Sequence, residues 1–282
     1  EKCPPWSIQA KKIKHSKAKK TVYYDNAVLK IYDFPIFYFP KFFHPGPTVK
    51  RQSGFLFPTL EDNSSVGFSA STPYFWAISD NRDMTFTPKI YTKENLLVLH
   101  EYRHAFKDSF LLVDSGYTKG YKKTDKLKKS DGSRSHLFVK YNHDLSKDDF
   151  SSNLEINFQQ VNNDTYLKVH DIETELVDKN DNIITKDINY EFQSDKNYLG
   201  ISAAMYENLT SNDSDKTRFE YSIPNILFER NLFTGDKTGV FDIKSNAFVK
   251  NSKVNQTTKF WINDVNWQSN PFVSLNGIQN KF

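Results

Sequence analysis

The loudest chemical signal in this chain is His100-Glu101-Tyr102-Arg103-His104, which matches the H-E-x-x-H pattern of zinc proteases. That chemistry needs a helix, where residues four apart share a face and can grip one metal. The flanks argue for a strand. Leu96, Val98, Tyr102 and Phe106 share a period-two face with both histidines, while Glu101 and Arg103 take the other. Lys93-Glu-Asn before the motif and Lys107-Asp-Ser after it read as turns. On an extended strand His100 and His104 stand about 13 Å apart, too far to share one zinc. No third ligand on a second helix follows. The expectation is therefore no metal, with Glu101 and Arg103 as a charge pair on a polar face. There is no Walker loop, no dinucleotide fingerprint and no G-x-S-x-G. Scattered carboxylates have no spacing that favours a glycosidase or lipase. No catalytic residue and no cofactor are expected.

Other residues can act mechanically. Pro58 and Pro73 fall in the first two strands of a long alternating run. Proline has no N–H for a ladder and weakens the pairing on that side. Pro88, on the third strand, reads as a bulge without that role. Phe34, Ile36, Phe37 and Phe39 crowd one short stretch. On their own they read as core of a preceding domain. Cys3 is the one cysteine and cannot form an internal disulfide. It reads as a free thiol or as half of a bond to something outside the chain.

The elements that must position these residues are strands. The chain has 282 residues, of which 38% are hydrophobic, yet it carries 24 Phe and 15 Tyr. Few apolar but many aromatic residues fit a sheet with one apolar and one polar face. Net charge is +4. Lysine runs at Lys11–Lys20 and Lys119–Lys129 account for the excess and read as solvated surface or as contacts to anionic lipid headgroups. No motif accompanies them that would imply nucleic acid. No apolar run reaches the roughly 18–20 residues of a membrane helix, so any spanning must be by closed barrel.

Residues 1–49 read as short strands at Trp6–Ile8, Lys20–Tyr24, Ala27–Tyr32 and Ile36–Phe39, with turns at Asp25-Asn26 and Asp33-Phe-Pro35. Pro40, Pro45 and Pro47 read as a stiff connector. From Ser53 to Gln268 apolar and polar residues alternate, as in Leu154, Ile156 and Phe158 against Asn153, Glu155, Asn157 and Gln159. About twelve strands are expected. In Leu137, Val139 and Tyr141 against His136, Lys140 and Asn142, Phe138 is the exception. Short turns are expected near Ser79–Arg82, Lys107–Asp108, Ser146–Asp149 and Ser194–Lys196. Long polar loops are expected near Thr118–Ser133, Val161–Asn182 and Leu209–Lys216. A soluble antiparallel sandwich also alternates, but the unequal loops fit an outer-membrane barrel better.

The stretch Lys50-Arg51-x-Ser53-Gly54-Phe55-Leu56-x-Pro58 resembles the start of the barrel in the LptD family of outer-membrane LPS-assembly proteins. Cys3-Pro-Pro-Trp6-Ser-Ile8 and Phe34-Pro-Ile-Phe-Tyr38-x-Pro40 are similar to the end of that family's periplasmic domain. Pro73-Tyr-Phe-Trp76, Asp83-Met-Thr-Phe-Thr-Pro88 and Glu101-Tyr-Arg103 continue the match. Asn163-Asp-Thr-Tyr-Leu167 and Arg218–Pro224 are looser. The resemblance implies an all-β chain, with the last strands of a periplasmic β-jellyroll in residues 1–49 and the N-terminal part of an outer-membrane barrel in residues 50–282.

It implies, further, a translocon without enzymatic activity that inserts lipopolysaccharide into the outer leaflet through a lateral gate at Pro58, Pro73 and Phe55. Acyl chains would travel over Phe34, Ile36, Phe37 and Phe39, and Glu101 and Arg103 would stand on the lumen wall. Implied partners are lipopolysaccharide, outer-membrane lipids, a plug lipoprotein of the LptE type and a periplasmic bridge protein of the LptA type. Cys3 would bond to late barrel cysteines that this sequence lacks. With no initiator Met and no signal peptide, the sequence reads as a fragment. A general porin, a barrel hydrolase and a soluble glycan-binding sandwich are the alternatives.

Overall fold

Alternation of period two makes strands, and the computed structural model is built from little else. It describes residues 6–18, 20–31, 33–46, 51–119, 132–210, 218–235, 238–252 and 256–281. Cys3 and Pro47 lie outside the described residues, as does most of the second lysine run.

Three strands come first, β1 (Trp6–Ser16), β2 (Thr21–Ile31) and β3 (Phe34–Pro45). They form an antiparallel sheet in the order β1-β2-β3. The short strands expected here are merged into longer ones. Asp25-Asn26 is not a turn but lies inside β2, where Asn26 takes a φ of 52°. Asparagine tolerates the left-handed region, so the strand kinks without stopping. Pro40 and Pro45 likewise belong to β3 rather than to a connector. The turn at Asp33 is present, with a φ of 67°.

The second sheet holds β4 (Gly54–Phe55), β5 (Thr59–Asn63), β6 (Gly67–Ser71), β7 (Tyr74–Ser79), β8 (Arg82–Tyr91), β9 (Leu97–Ala105), β10 (Ser109–Thr118), β11 (Arg134–Asp144), β12 (Phe150–Val161), β13 (Ile183–Ser194), β14 (Asn197–Asn208), β15 (Phe219–Gly235), β16 (Gly239–Ser252) and β17 (Gln256–Gln268). Every ladder is antiparallel, and neighbours in the chain are neighbours in the sheet from β8 to β17. Two pairs of segments are halves of broken strands. β4 and β5 follow one another along one line, as do β6 and β7, which both pair with β8. Counted that way, the sheet has about twelve staves, as the alternation predicts. Among the described residues no ladder joins β17 to β4 or β5. A small hairpin, β18 (Phe272–Val273) with β19 (Gln279–Asn280), ends the chain.

The three longest connections share one end of the sheet. Residues 80–81, 106–108, 145–149 and 195–196 link strands at the end where the chain enters at Arg51, here called the near end. The connections 119–133, 162–182 and 209–218 all fall at the far end. Antiparallel neighbours require that parity, and the sequence puts the length on one side only.

The two faces differ in an unusual sense. Cross-strand pairing puts Phe86, His100, Tyr117 and Leu137 on one face with Ile156 and Ile188. This apolar face is the open one. Phe86, Tyr117, Leu137, Ile188 and Ile201 are all exposed. The other face carries Asp83, Glu101, Asp114, Lys140 and Asn157, and it is the covered one. A soluble sandwich would bury its apolar face and wet its polar one. Here the order is reversed, as in a sheet solvated by lipid outside and water within.

The cover is the connection 162–182. The sequence suggests a polar loop, but it contains the short helix α1 (Tyr166–His170) and an apolar cluster. Tyr166, Leu167, Ile172 and Val177 pack with Tyr91, Leu97, Phe138, Val161 and Val66. Strands as far apart as β8 and β13 converge on this cluster, so the sheet curls around it. Phe138 breaks the alternation for this reason. It is fully buried and stacks on His136, 4.6 Å between centroids, beneath Tyr166. Gly116 leaves the room. A Cβ there would lie 2.8 Å from the Tyr166 hydroxyl and 2.7 Å from Leu99.

Candidate functional site

The first staves are where backbone pairing fails. β4 stops at Phe55 and β5 resumes at Thr59, with Pro58 in the gap. β6 stops at Ser71 and β7 resumes at Tyr74, with Pro73 in the gap. The gaps are adjacent, because the Leu56 amide donates to the Pro73 carbonyl at 2.8 Å. The Thr72 amide in turn donates to the Pro88 carbonyl at 3.3 Å. In an antiparallel pair a residue's N–H and C=O serve the same neighbour. So the donors missing at Pro73 and Pro88 are aimed at the strand before each, across the gap. Each lost backbone bond removes on the order of 1 kcal/mol.

Pro88 itself is no bulge. It pairs with Val98 in unbroken register, and β8 runs through it. Three prolines thus lie side by side on three staves. The result is a transverse fault. Below it, β4 pairs with β7 only through Gly54↔Phe75 and Phe55↔Tyr74. Above it, the β6–β8 ladder covers Ser69–Ser71, with two further bonds from Thr92 and Lys93 to the Phe68 and Val66 carbonyls. Phe55, Phe57 and Leu60 stand exposed along the fault, and Phe55 meets the Tyr74 ring edge-on at 5.1 Å.

A charge cluster fastens the near end of the fault. Asp83 is buried and accepts from both Arg51 and Arg103 Nε, the latter at 2.9 Å. Arg51 also donates to the Asp80 carbonyl at 2.6 Å and lies over the Phe75 ring. Ser53 Oγ accepts from the Ala77 amide at 2.9 Å, and Gln52 donates to Thr21 of the first sheet at 3.1 Å. Arg103 Nε is 3.5 Å from Glu101 and Arg103 Nη1 is 3.9 Å from Glu175 of the cover. The H-E-x-x-H residues all lie on β9. His100 packs against Phe86 and His104 against Phe106 on the open face, so the motif has no common face with Glu101.

The far end is held by the cover. His136 Nε2 lies 2.6 Å from Asp114 Oδ1, and its other ring nitrogen is 3.3 Å from the Tyr166 hydroxyl. Arg218 bonds Asp164 at 2.6 and 3.0 Å and Glu207 at 2.6 Å. These carboxylates, Asp164 first, raise the Arg218 guanidinium above its usual pKa. Asp171 does the same for Lys179, its partner at 2.6 Å.

In the first sheet, the rings of Phe37 and Phe39 are 4.9 Å apart and those of Phe39 and Phe42 5.3 Å. Tyr24 and His44 extend the row. Ile36 is the extra residue of a bulge, since Leu29 pairs with Phe37 and Lys30 with Pro35. The bulge brings Phe34, opposite Ile31, to the same side as Phe37. Phe34, Ile36 and Phe37 are all more than half exposed.

The sequence names Pro58, Pro73 and Phe55, and the structure brings them together at the fault. It also names Glu101 and Arg103, which are adjacent on the covered face. It misses Asp83, which joins Arg51 to Arg103, and it misses the whole cover. The signal for the cover is present in Tyr166-Leu167 with His170 three residues on, a helical spacing inside a stretch rich in turn residues.

The family described as LptD protein matches residues 22–268. The LPS-assembly protein LptD of Shewanella oneidensis is 37% identical over 106 residues, which is 36% of this chain and 14% of that protein. That of Pseudomonas aeruginosa is 32% identical over 120 residues, covering 41% and 13%. That of Pseudoalteromonas translucida is 34% identical over 114 residues, covering 40% and 15%. The matched stretch spans about a seventh of the length of these relatives.

Proposed function

This chain belongs to the LptD family, and on that premise we propose that it is part of an outer-membrane translocon that delivers lipopolysaccharide to the outer leaflet. Residues 1–49 form the end of a periplasmic β-jellyroll and residues 50–282 the first dozen staves of a barrel. The near end faces the periplasm and the long connections face outward. Lipopolysaccharide leaves the periplasmic domain along the aromatic row of Phe34, Ile36, Phe37 and Phe39. Its sugars enter the polar interior past Glu101 and Arg103, and its acyl chains leave between the first and last staves. A lipoprotein of the LptE type fills the lumen, and a bridge protein of the LptA type feeds the jellyroll. No bond is made or broken on this path.

The observation that carries this reading is the fault at Pro58 and Pro73. A membrane sheet has every reason to close its backbone bonds, because an unpaired group in lipid costs several kcal/mol. Two adjacent staves that give up pairing at the same height fit a seam that must part. The exposed apolar face supports the membrane setting, and the exposed rings of Phe34 and Phe37 support contact with acyl chains.

The test is to close the fault. In the full-length protein, Pro58→Val with Pro73→Val restores two donors. Surface arrival of newly made lipopolysaccharide should fall several-fold while the barrel still assembles. Arrival at the unaltered rate, with the barrel assembled, would overturn the seam.

A further inference from the structure

Above the fault, β5, its turn and β6 make a hairpin of residues 59–71 whose two roots are Pro58 and Pro73. Backbone bonds tie it down weakly. β6 meets β8 over Ser69–Ser71, and two more bonds follow, from Thr92 to the Phe68 carbonyl at 2.9 Å and from Lys93 to the Val66 carbonyl at 3.3 Å. Side chains add two ties, Val66 of the hairpin packed in the cover's apolar cluster and one ion pair. Lys89 on β8 is 6% exposed, and its ammonium is 2.7 Å from Glu61 Oε2 on β5. The same ammonium donates at 3.4 Å to the carbonyl of His170, the last residue of α1. Tyr91, beside it on the same face, donates to that carbonyl at 3.1 Å.

A single cation therefore holds the hairpin with one bond and the cover with another. Its desolvation is compensated only while both stay in place. If the hairpin swings away with Glu61, Lys89 is left in the covered interior without a carboxylate, facing only the His170 carbonyl and the Tyr91 ring. If α1 lifts, the carbonyl is lost and Tyr91 loses its acceptor as well. Either movement makes the other easier, which is coupling between two sites.

We propose that Lys89 is a latch joining the 59–71 hairpin to the 162–182 cover, so that parting of the seam and lifting of the cover are one event. This rests on the seam reading above and adds its regulation. The outward cover stays shut while the seam is shut, which keeps the lumen sealed between deliveries. A sugar chain arriving from within displaces α1 and in doing so releases the hairpin.

The experiment uses the full-length protein in its native membrane, with a single cysteine placed at Ser69 in the hairpin or at Ile172 in the cover, both buried. Reaction with a small maleimide is followed against the same protein without the added cysteine. Lys89→Met should speed labelling at both positions about tenfold, the discounted effect of losing a partly exposed charge pair. Lys89→Arg, which keeps the donors, should restore both rates. Faster labelling at only one position, or at neither, in a barrel with normal heat-modifiable mobility, overturns the latch. The Pro58→Val, Pro73→Val protein separates the two ideas. If it slows lipopolysaccharide arrival while Lys89→Met leaves labelling unchanged, the seam stands and the latch falls. If it leaves arrival unchanged, the seam falls and takes the latch's purpose with it.

Discussion

The first three staves and the middle of the sheet are made from the same alternating sequence, yet they are held differently. β13 is matched with β14 without a break from Ile183↔Asn208 to Gln193↔Tyr198, and β10 with β11 from Ser109↔His143 to Thr118↔Arg134. The first staves break at Pro58 and Pro73 and rely on side chains instead: Arg51 and Arg103 on Asp83 below the fault, Lys89 on Glu61 above it. The middle also carries most of the cover, whose core lies against β9, β11, β12 and β13 and reaches Tyr91 of β8 and Val66. Backbone ladders are stiff and collective, whereas ion pairs can be exchanged one at a time. A sheet that must be permanent in one place and separable in another can be built by that difference alone.

The comparison breaks most severely if the middle loses its cover. Gly116→Leu drives a side chain into Leu99 and the Tyr166 hydroxyl, and overpacking with loss of α1 packing should cost on the order of 3 kcal/mol or more. The urea midpoint of the assembled barrel reads this. Phe138→Ala comes next. It opens a cavity under Tyr166 and should cost about 3 kcal/mol by the same measurement. By the latch, both should also speed hydrogen exchange in the 59–71 hairpin, whose Val66 packs in the same cluster as Phe138, and leave β16 near its normal rate.

Smaller effects sharpen the other side. Asp83→Asn leaves Arg51 and Arg103 without their shared carboxylate, at a cost of about 1–2 kcal/mol after allowance for their partial exposure. Exchange should accelerate at Ser53–Phe55 and Tyr74–Ala77 and not in β13. The smallest effect is the pH response of the Lys179–Asp171 tie. The lysine pKa is raised in the folded state, so the tie contributes fully below the unfolded lysine pKa. Its contribution is lost as pH rises through the folded value. Protection in residues 171–179, measured relative to the intrinsic exchange rate at each pH, should therefore fall only in the alkaline range and stay flat from neutral to mildly acidic pH.

Much of this was readable from residue types. Period two gave the staves, and the unequal spacing between Thr118 and Arg134 or Val161 and Ile183 gave the two ends. The prolines were legible because a missing donor has a fixed meaning in a ladder. What stayed hidden depended on register. Nothing local says that Pro73 sits beside Leu56, or that Asp83 lies between Arg51 and Arg103, because these are long-range pairings. Asn26 misled because asparagine marks turns more often than kinks within a strand. The cover misled because five helical residues in a polar stretch give too short a period to detect. One of its partners, Phe138, reads in the sequence as an irregularity in an otherwise regular strand.

The central claim is that lipid passes the fault between Gly54 and Thr59. The most direct measurement is in-cell photocrosslinking with a photoreactive residue at Phe55, and a second at Phe37, in the full-length protein. Lipopolysaccharide adducts at both positions are predicted, with those at Phe55 lost when Pro58 and Pro73 are replaced by valine. Adducts at neither position, in a barrel that is folded and exposed at the cell surface, would contradict the account.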